Sequence, residues 1–178
     1  PVQASLFFSH LHHDHTQGFP FFAPAFAPAT RLRLFGPGIY EQTLEEVLNR
    51  IMTPPAFPVR LDDQAAVKSF YTVTESKVVI LSGDQVLVSN VSQAAEGSDP
   101  NAVCVRLLRS HAHPGGVINY RIEWRGLSVV YATDTEGYVN TDRRLAAFAQ
   151  GAQVLIHDAQ YSDEHYCGKL PGLPTTQG

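Results

Sequence analysis

The sequence has 178 residues, the length of one domain, with 13 basic against 17 acidic side chains and a net charge of −4. That balance argues against a general binder of nucleic acid or anionic membranes, which would carry a basic excess. Apolar residues make up 44% and charged residues only 17%, so the chain can fill a core, and no apolar stretch approaches the roughly 18–20 residues that a membrane span needs.

In chain order, residues 5–9 read as a buried strand, and the continuous apolar run Leu6, Phe7, Phe8 predicts a central strand covered on both faces. Residues 30–35 form a short strand closed by Gly36-Pro37-Gly38. The best helix covers 40–52, where Leu44, Val47, Leu48 and Ile51 make one apolar stripe. Glu41, Glu45 and Glu46 load the end where the helix dipole favours acids, and Thr53-Pro54-Pro55 stops it. Residues 77–81 and 85–89 read as a hairpin around Ser82-Gly83-Asp84, and 91–101 as a polar loop. Strands follow at 103–109, 117–124 and 127–133, the last two joined at Arg125-Gly126. Thr141 is the expected N-cap of a helix running through residue 149 and ended by Gly151. A strand at 154–156 and a helical turn at 163–166 complete the pattern, which predicts sheets with helices packed outside. The chain opens abruptly on a strand and ends in a turn-rich run at 170–178, as a fragment of a longer protein would. The start shows no charged segment followed by an apolar one, and Cys104 and Cys167 make no disulfide framework. A reducing cytoplasmic compartment is therefore expected.

Of the eight histidines, four lie at positions 10, 12, 13 and 15, in Ser9-His10-Leu11-His12-His13-Asp14-His15. At a strand end, side chains two apart share a face, so His10 and His12 can converge on one ion. Where the chain then turns into a helix, Asp14 and His15 can address a second. Imidazole suits zinc, iron or manganese, and a carboxylate favours a dication. Two further segments end strands with ligand-type side chains. One is Ser110-His111-Ala112-His113-Pro114-Gly115-Gly116; the other is Thr133-Asp134-Thr135-Glu136. Taken singly, each is weak, since a strand-end Asp is most often a turn former.

Together these segments resemble the metallo-β-lactamase fold superfamily of metal-dependent hydrolases, over nearly the whole chain. His113-Pro114-Gly115-Gly116, with residues 119–123, 129–136 and 156–161, looks most like the phosphodiesterase branch that includes ribonuclease Z and the phosphoribosyl cyclic phosphodiesterase. The resemblance implies an α+β fold across residues 1–178, an αβ/βα sandwich of two facing sheets with outer helices and a dinuclear site at one edge between them. It implies that His10, His12 and His113 hold the first metal, that Asp14 and His15 hold the second, and that Asp134 bridges the two. Two divalent ions are expected, zinc first, with manganese or iron as alternatives. His13 would sit behind the ligands or face solvent, and His111 competes with His113. Asp14 would also orient the nucleophile. Asp158 would orient a last histidine that acts as proton donor. That histidine has no counterpart beyond His165, leaving His157 and His165 as substitutes, and the family's opening strands have no counterpart before the first motif. The chain therefore resembles a family member truncated at both ends. The expected consequence is a second site that is empty or completed by something other than residues 166–178. Either flanking sequence covers the open apolar edge, or copies pair there as a homo-oligomer.

The implied activity is hydrolysis of a small or cyclic phosphodiester by a hydroxide held between two metal ions. Arg31, Arg33, Arg50, Arg60, Lys68 and Lys77 are scattered and form no run, which disfavours long nucleic acid as the partner. A small-molecule phosphodiester is expected instead. The alternatives are a lactone, lactam or thioester hydrolase of the same fold and a non-catalytic metal-binding or regulatory domain. His12 stands where a di-iron oxidoreductase of this fold would place an acid. Phe7, Phe8, Phe19, Phe21, Phe22 and Phe26 are read first as core packing and second as a substrate mouth.

Overall fold

The computed structural model describes residues 2–93, 99–135 and 142–159, and the chain divides between Glu75 and Ser76 into two compact units. In the first unit, β1 (Gln3–Phe7), β2 (Arg31–Gly36) and β3 (Val67–Thr72) form a parallel sheet in the order β1-β2-β3. Among the described residues β1 has a strand partner on one side only and is half-buried from Ala4 to Phe7. Its apolar run is explained by the pleat. Leu6 and Phe8 pack on the core, whereas Phe7 joins a row of rings across the strands. The register sets Phe7 opposite Phe35 and Phe35 opposite Tyr71, with centroids 4.5 and 4.7 Å apart and planes within 9° and 14°.

The link from β1 to β2 contains a single helical turn, α1 (His13–Thr16). The link from β2 to β3 contains α2 (Leu44–Ile51), which is shorter than the expected 40–52. Tyr40 and Glu41 both have left-handed backbone, φ 47° and 64°, and Ile39 bridges Gln42, so the chain turns there before the helix starts. Thr43 is the N-cap. Its hydroxyl accepts from Glu46 N at 3.3 Å, and Glu46 Oε2 accepts from Thr43 N at 2.7 Å, a complete capping box. The apolar stripe is placed as expected: Leu44 and Leu48 are buried in a core with Leu32, Leu34, Met52 and Leu61, and Val47 and Ile51 pack against it.

In the second unit, β4 (Lys77–Ser82), β5 (Gln85–Asn90), β6 (Val103–Ser110), β7 (Val117–Trp124), β8 (Leu127–Ala132) and β9 (Val154–His157) form one sheet in the order β5-β4-β6-β7-β8-β9. All its pairs are antiparallel except β8 with β9. Arg125 and Gly126, at φ 49° and 77°, close β7 onto β8 in the two-residue manner that requires positive φ. The parallel step to β9 needs a crossover, supplied by α3 (Arg143–Ala149). The expected cap Thr141 lies outside the described residues. Asp142 caps α3, its Oδ1 accepting from Arg144 N and Leu145 N at 2.9 and 3.0 Å. Leu145 is buried with Leu108, Val130 and Ala132. The helical turn expected at 163–166, Cys167 and the 170–178 run also lie outside the described residues. Two sheets with short helices make the α+β class that the sequence implies. Among the described residues no helix is long and apolar enough to cross a membrane.

Candidate metal centre

The first unit places its histidines just past the carboxyl end of β1. The strand stops at Phe7, two residues short of Ser9, but Phe8 N still donates to Phe35 O at 2.8 Å and His12 remains extended at φ −65°, ψ 154°. Extended backbone keeps residues two apart on one side, and the rings of His10 and His12 meet edge-on with centroids 4.5 Å apart. His15, brought round by the α1 turn, sets its ring 4.2 Å from that of His10. His10 offers a ligand nitrogen within 4.8 Å of one on His12, and likewise of one on His15. Thr16 ties the turn by donating to the carbonyls of His12 and His13 at 3.1 and 3.2 Å.

His10 is 2% exposed. Ser9 Oγ lies 3.2 Å from its Nδ1, so a metal would be bound through Nε2, which is a buried atom. A buried imidazole faced by two others is costly if charged and well suited to a shared cation. The donor set in this unit therefore fits a divalent metal. Asp14 is not drawn into a ligand set with His10. It is exposed, with Oδ2 3.3 Å from His15 Nε2. Desolvation pushes its carboxyl up, but a hydrogen bond from its own backbone and the positive field of His15, His10 and His12 outweigh this and hold it below the usual range. His13 is exposed and lines a cavity with Gln17, Phe21 and Phe57.

The second unit carries its candidates at strand ends. His113 follows β6 and is half-buried, whereas His111 is exposed. Gly116 N donates to His113 O at 2.8 Å across Pro114 and Gly115, and Gly115 has φ 79°. Pro followed by a positive-φ Gly is the pattern of a type II turn, which fixes the backbone of His113. Gly116, at φ 80°, could not carry a side chain without disturbing Arg109, since a Cβ there would stand 2.8 Å from Nε. Asp134, just beyond β8, has φ 48° and accepts from Thr133 Oγ1 at 3.0 Å. Left-handed backbone at a non-glycine residue is uncommon and tends to gather at functional sites.

Asp158 extends the β8–β9 ladder by donating its N–H to Ala132 O at 3.0 Å. His157, one of the two substitute ligands, is engaged locally at both nitrogens. Thr135 Oγ1 lies 3.2 Å from Nε2, and the Asp158 carbonyl accepts at 2.7 Å from Nδ1. His165 lies outside the described residues. Sequence reasoning missed Ser9 and Thr135, the residues that hold His10 and His157, because a hydroxyl beside a histidine carries no signal until the rings are placed.

No curated protein matches the chain. Among solved structures, the metallo-beta-lactamase fold protein YhfI from Bacillus subtilis is similar at 18% identity, over 85% of this chain and 47% of that chain, with a TM-score of 0.48. The chain thus spans about half the length of that relative. The pattern of the Beta-lactamase superfamily domain matches residues 2–172, and the chain belongs to that family.

Proposed function

We propose that the protein is a metal-dependent hydrolase acting on a small or cyclic phosphodiester. The observation that carries the reading is the grouping of His10, His12 and His15 past the end of β1, in a chain of the Beta-lactamase superfamily. In this reading His10, His12 and His113 hold one divalent ion, Asp14 and His15 a second, and Asp134 contributes to both. When bound, such ions supply Lewis acidity and an acidified water.

The chain's own part is placement. In this reading Ser9 orients the ring of His10, the Pro114-Gly115 turn holds the backbone of His113, and Asp134 stands in left-handed backbone just beyond β8. Asp14 is exposed, with its carboxyl held below the usual range; in this reading it would orient the nucleophile, and Asp158 would orient a proton donor for the leaving group. The resemblance of residues 113–116, 129–136 and 156–161 to the phosphodiesterase branch supports phosphorus over carbonyl carbon. The net charge of −4 supports a small substrate over a long polyanion.

The test is metal content by elemental analysis, with turnover of bis(p-nitrophenyl) phosphate measured beside a lactone and a thioester. Bound zinc, manganese or iron and turnover confined to the phosphodiester are expected. Turnover only of the lactone or thioester, or none with metal bound, would overturn the phosphodiesterase reading.

A further inference from the structure

His13 opens onto a cavity of about 720 Å³ lined also by Gln17, Pro20, Phe21, Ile51 and Phe57, with Ala56 and Arg50 completing the wall. The volume is that of a small-molecule site. All these residues belong to the first unit, and His13 directly precedes Asp14 in the candidate metal motif.

The wall has two unusual parts. Phe21 is 75% exposed, and its ring stands edge-on to Phe57 at 90° with centroids 5.2 Å apart. An exposed ring propped by a second ring offers a flat apolar face at little cost in side-chain entropy. Arg50 is exposed in the last turn of α2. Its neighbour one turn back, Glu46, is committed to the N-cap through Thr43 N at 2.7 Å and Thr43 Oγ1 at 3.0 Å. The guanidinium adds a cation to a wall that is mostly apolar, although Glu46 also feels its charge, with His13 and Gln17 as further hydrogen-bonding groups.

We propose that this cavity binds the organic part of the substrate, a flat apolar group bearing an anionic substituent, with the ring against Phe21 and Phe57 and the anion on Arg50. Its identification as a substrate pocket rests on the hydrolase reading; its ligand chemistry rests on the lining alone. An apolar group without charge would leave Arg50 unused, and an anion without a ring would leave the two phenylalanines in water. The ligand needs both.

Binding is measured on the full chain in chelator, so that no metal takes part, by calorimetric titration with naphthalene-1-sulfonate, 1-naphthol and methanesulfonate. The sulfonate is expected to bind about tenfold more tightly than the naphthol, and methanesulfonate should not compete. Arg50→Gln should bring the sulfonate down to the naphthol's affinity while leaving the naphthol unchanged. Phe21→Ala, at a position 75% exposed, should weaken both by severalfold. Equal binding of sulfonate and naphthol, competition by methanesulfonate, or indifference to both substitutions would each overturn the proposal. The same variants separate it from the hydrolase reading. Phosphodiester turnover with no naphthalenesulfonate binding sinks the pocket alone. Binding as described with no phosphodiester turnover sinks the phosphodiesterase reading alone.

Discussion

Replacing Arg121 with methionine should remove about 3 kcal/mol of stability from the second unit. Arg121 lies on β7 opposite Arg106 of β6, an unfavourable pairing of like charges. Glu123, two residues along on the same face, resolves it by accepting from both, at 2.9 Å from Arg106 Nε and 2.9 Å from Arg121 Nε. The remaining donors of Arg121 reach the end of α3. Nη1 meets the carbonyls of Phe148 and Gln150 at 2.8 and 2.9 Å, and Nη2 meets Ser128 Oγ at 3.0 Å. Helix C-termini leave carbonyls unpaired, and here one guanidinium covers two of them. A hydrogen bond to a charged group contributes roughly 1.5–3 kcal/mol. The half-exposed ion pair contributes less than about 1 kcal/mol after solvent screening, and Glu123 keeps Arg106. With partial rehydration of the Gln150 carbonyl, the loss settles near 3 kcal/mol. A chain of this size then melts about 6–12 °C lower. Thermal and urea unfolding followed by circular dichroism measure it. Arg121→Lys, whose ammonium has no planar fork, should recover less than half. A loss below about 1 kcal/mol for the methionine variant would mean that the four bonds are replaceable by water and the reasoning fails.

Other consequences follow from the same geometry. Ser9→Ala should weaken metal binding at least about tenfold, since the His10 ring loses its orienting partner; unchanged competition against a chelator would refute the role of Ser9. Asp134→Asn should fold within about 1 kcal/mol of the parent, because Asn tolerates left-handed backbone, yet lose bound metal by elemental analysis; full retention would remove Asp134 from the ligand set. Gly116→Ala should cost about 1–2 kcal/mol in urea unfolding, from a positive φ and displacement of Arg109. Partial burial raises the Glu123 carboxyl, but the bonds and charges of Arg106 and Arg121 outweigh this and hold it below its ordinary 4.5. Its stabilisation is thus complete above pH 4.5 and lost as pH falls through the lower folded-state value. Acid unfolding of Arg121→Met should show a smaller pH dependence in that range.

The elements legible in the sequence are those whose cause is local. The turn at Gly83 and the Arg125-Gly126 pair announce their hairpins, and the strands they join fall within a residue of the expected bounds. The start of α2 was written too, in Thr43 and Glu46 three apart, but the acidic load from Glu41 onward masked it. Nothing in Tyr40 or Glu41 signals a left-handed backbone. The two destinations of the apolar run in β1, the core for Leu6 and Phe8 and a stacked row of rings for Phe7, were hidden because register is set by residues far away in sequence. At the candidate site the ligand-type residues were visible from their spacing. Their supports were not, because Ser9 and Thr135 gain meaning only once a ring nitrogen stands about 3.2 Å away. The phenylalanines divided. Phe19 is buried and Phe8 and Phe22 pack on the core, whereas Phe21 lines a cavity whose partners, Phe57 and Arg50, lie on a distant segment.

The candidate ligands sit where regular structure has just run out, and the distance it runs on is short. One ladder bond continues past β1, at Phe8, before His10; one continues past β9, at Asp158 itself. Between a rigid ladder and a ligand there are thus only a few residues of freedom, so a small error in backbone angle becomes a small error in ligand position. Where the gap is longer, a second constraint takes over. His113 stands three residues past β6 and is held by a hydrogen-bonded turn that needs the positive φ of Gly115, and Asp134 stands two past β8 in a left-handed backbone of its own. Such backbone costs glycine little and is unfavourable for Asp134, which lies just beyond β8. The strain is spent where a side chain must be aimed, and the paired strands beside it, with α3 packed on them and Arg121 clamping its end, supply the stability that tolerates it.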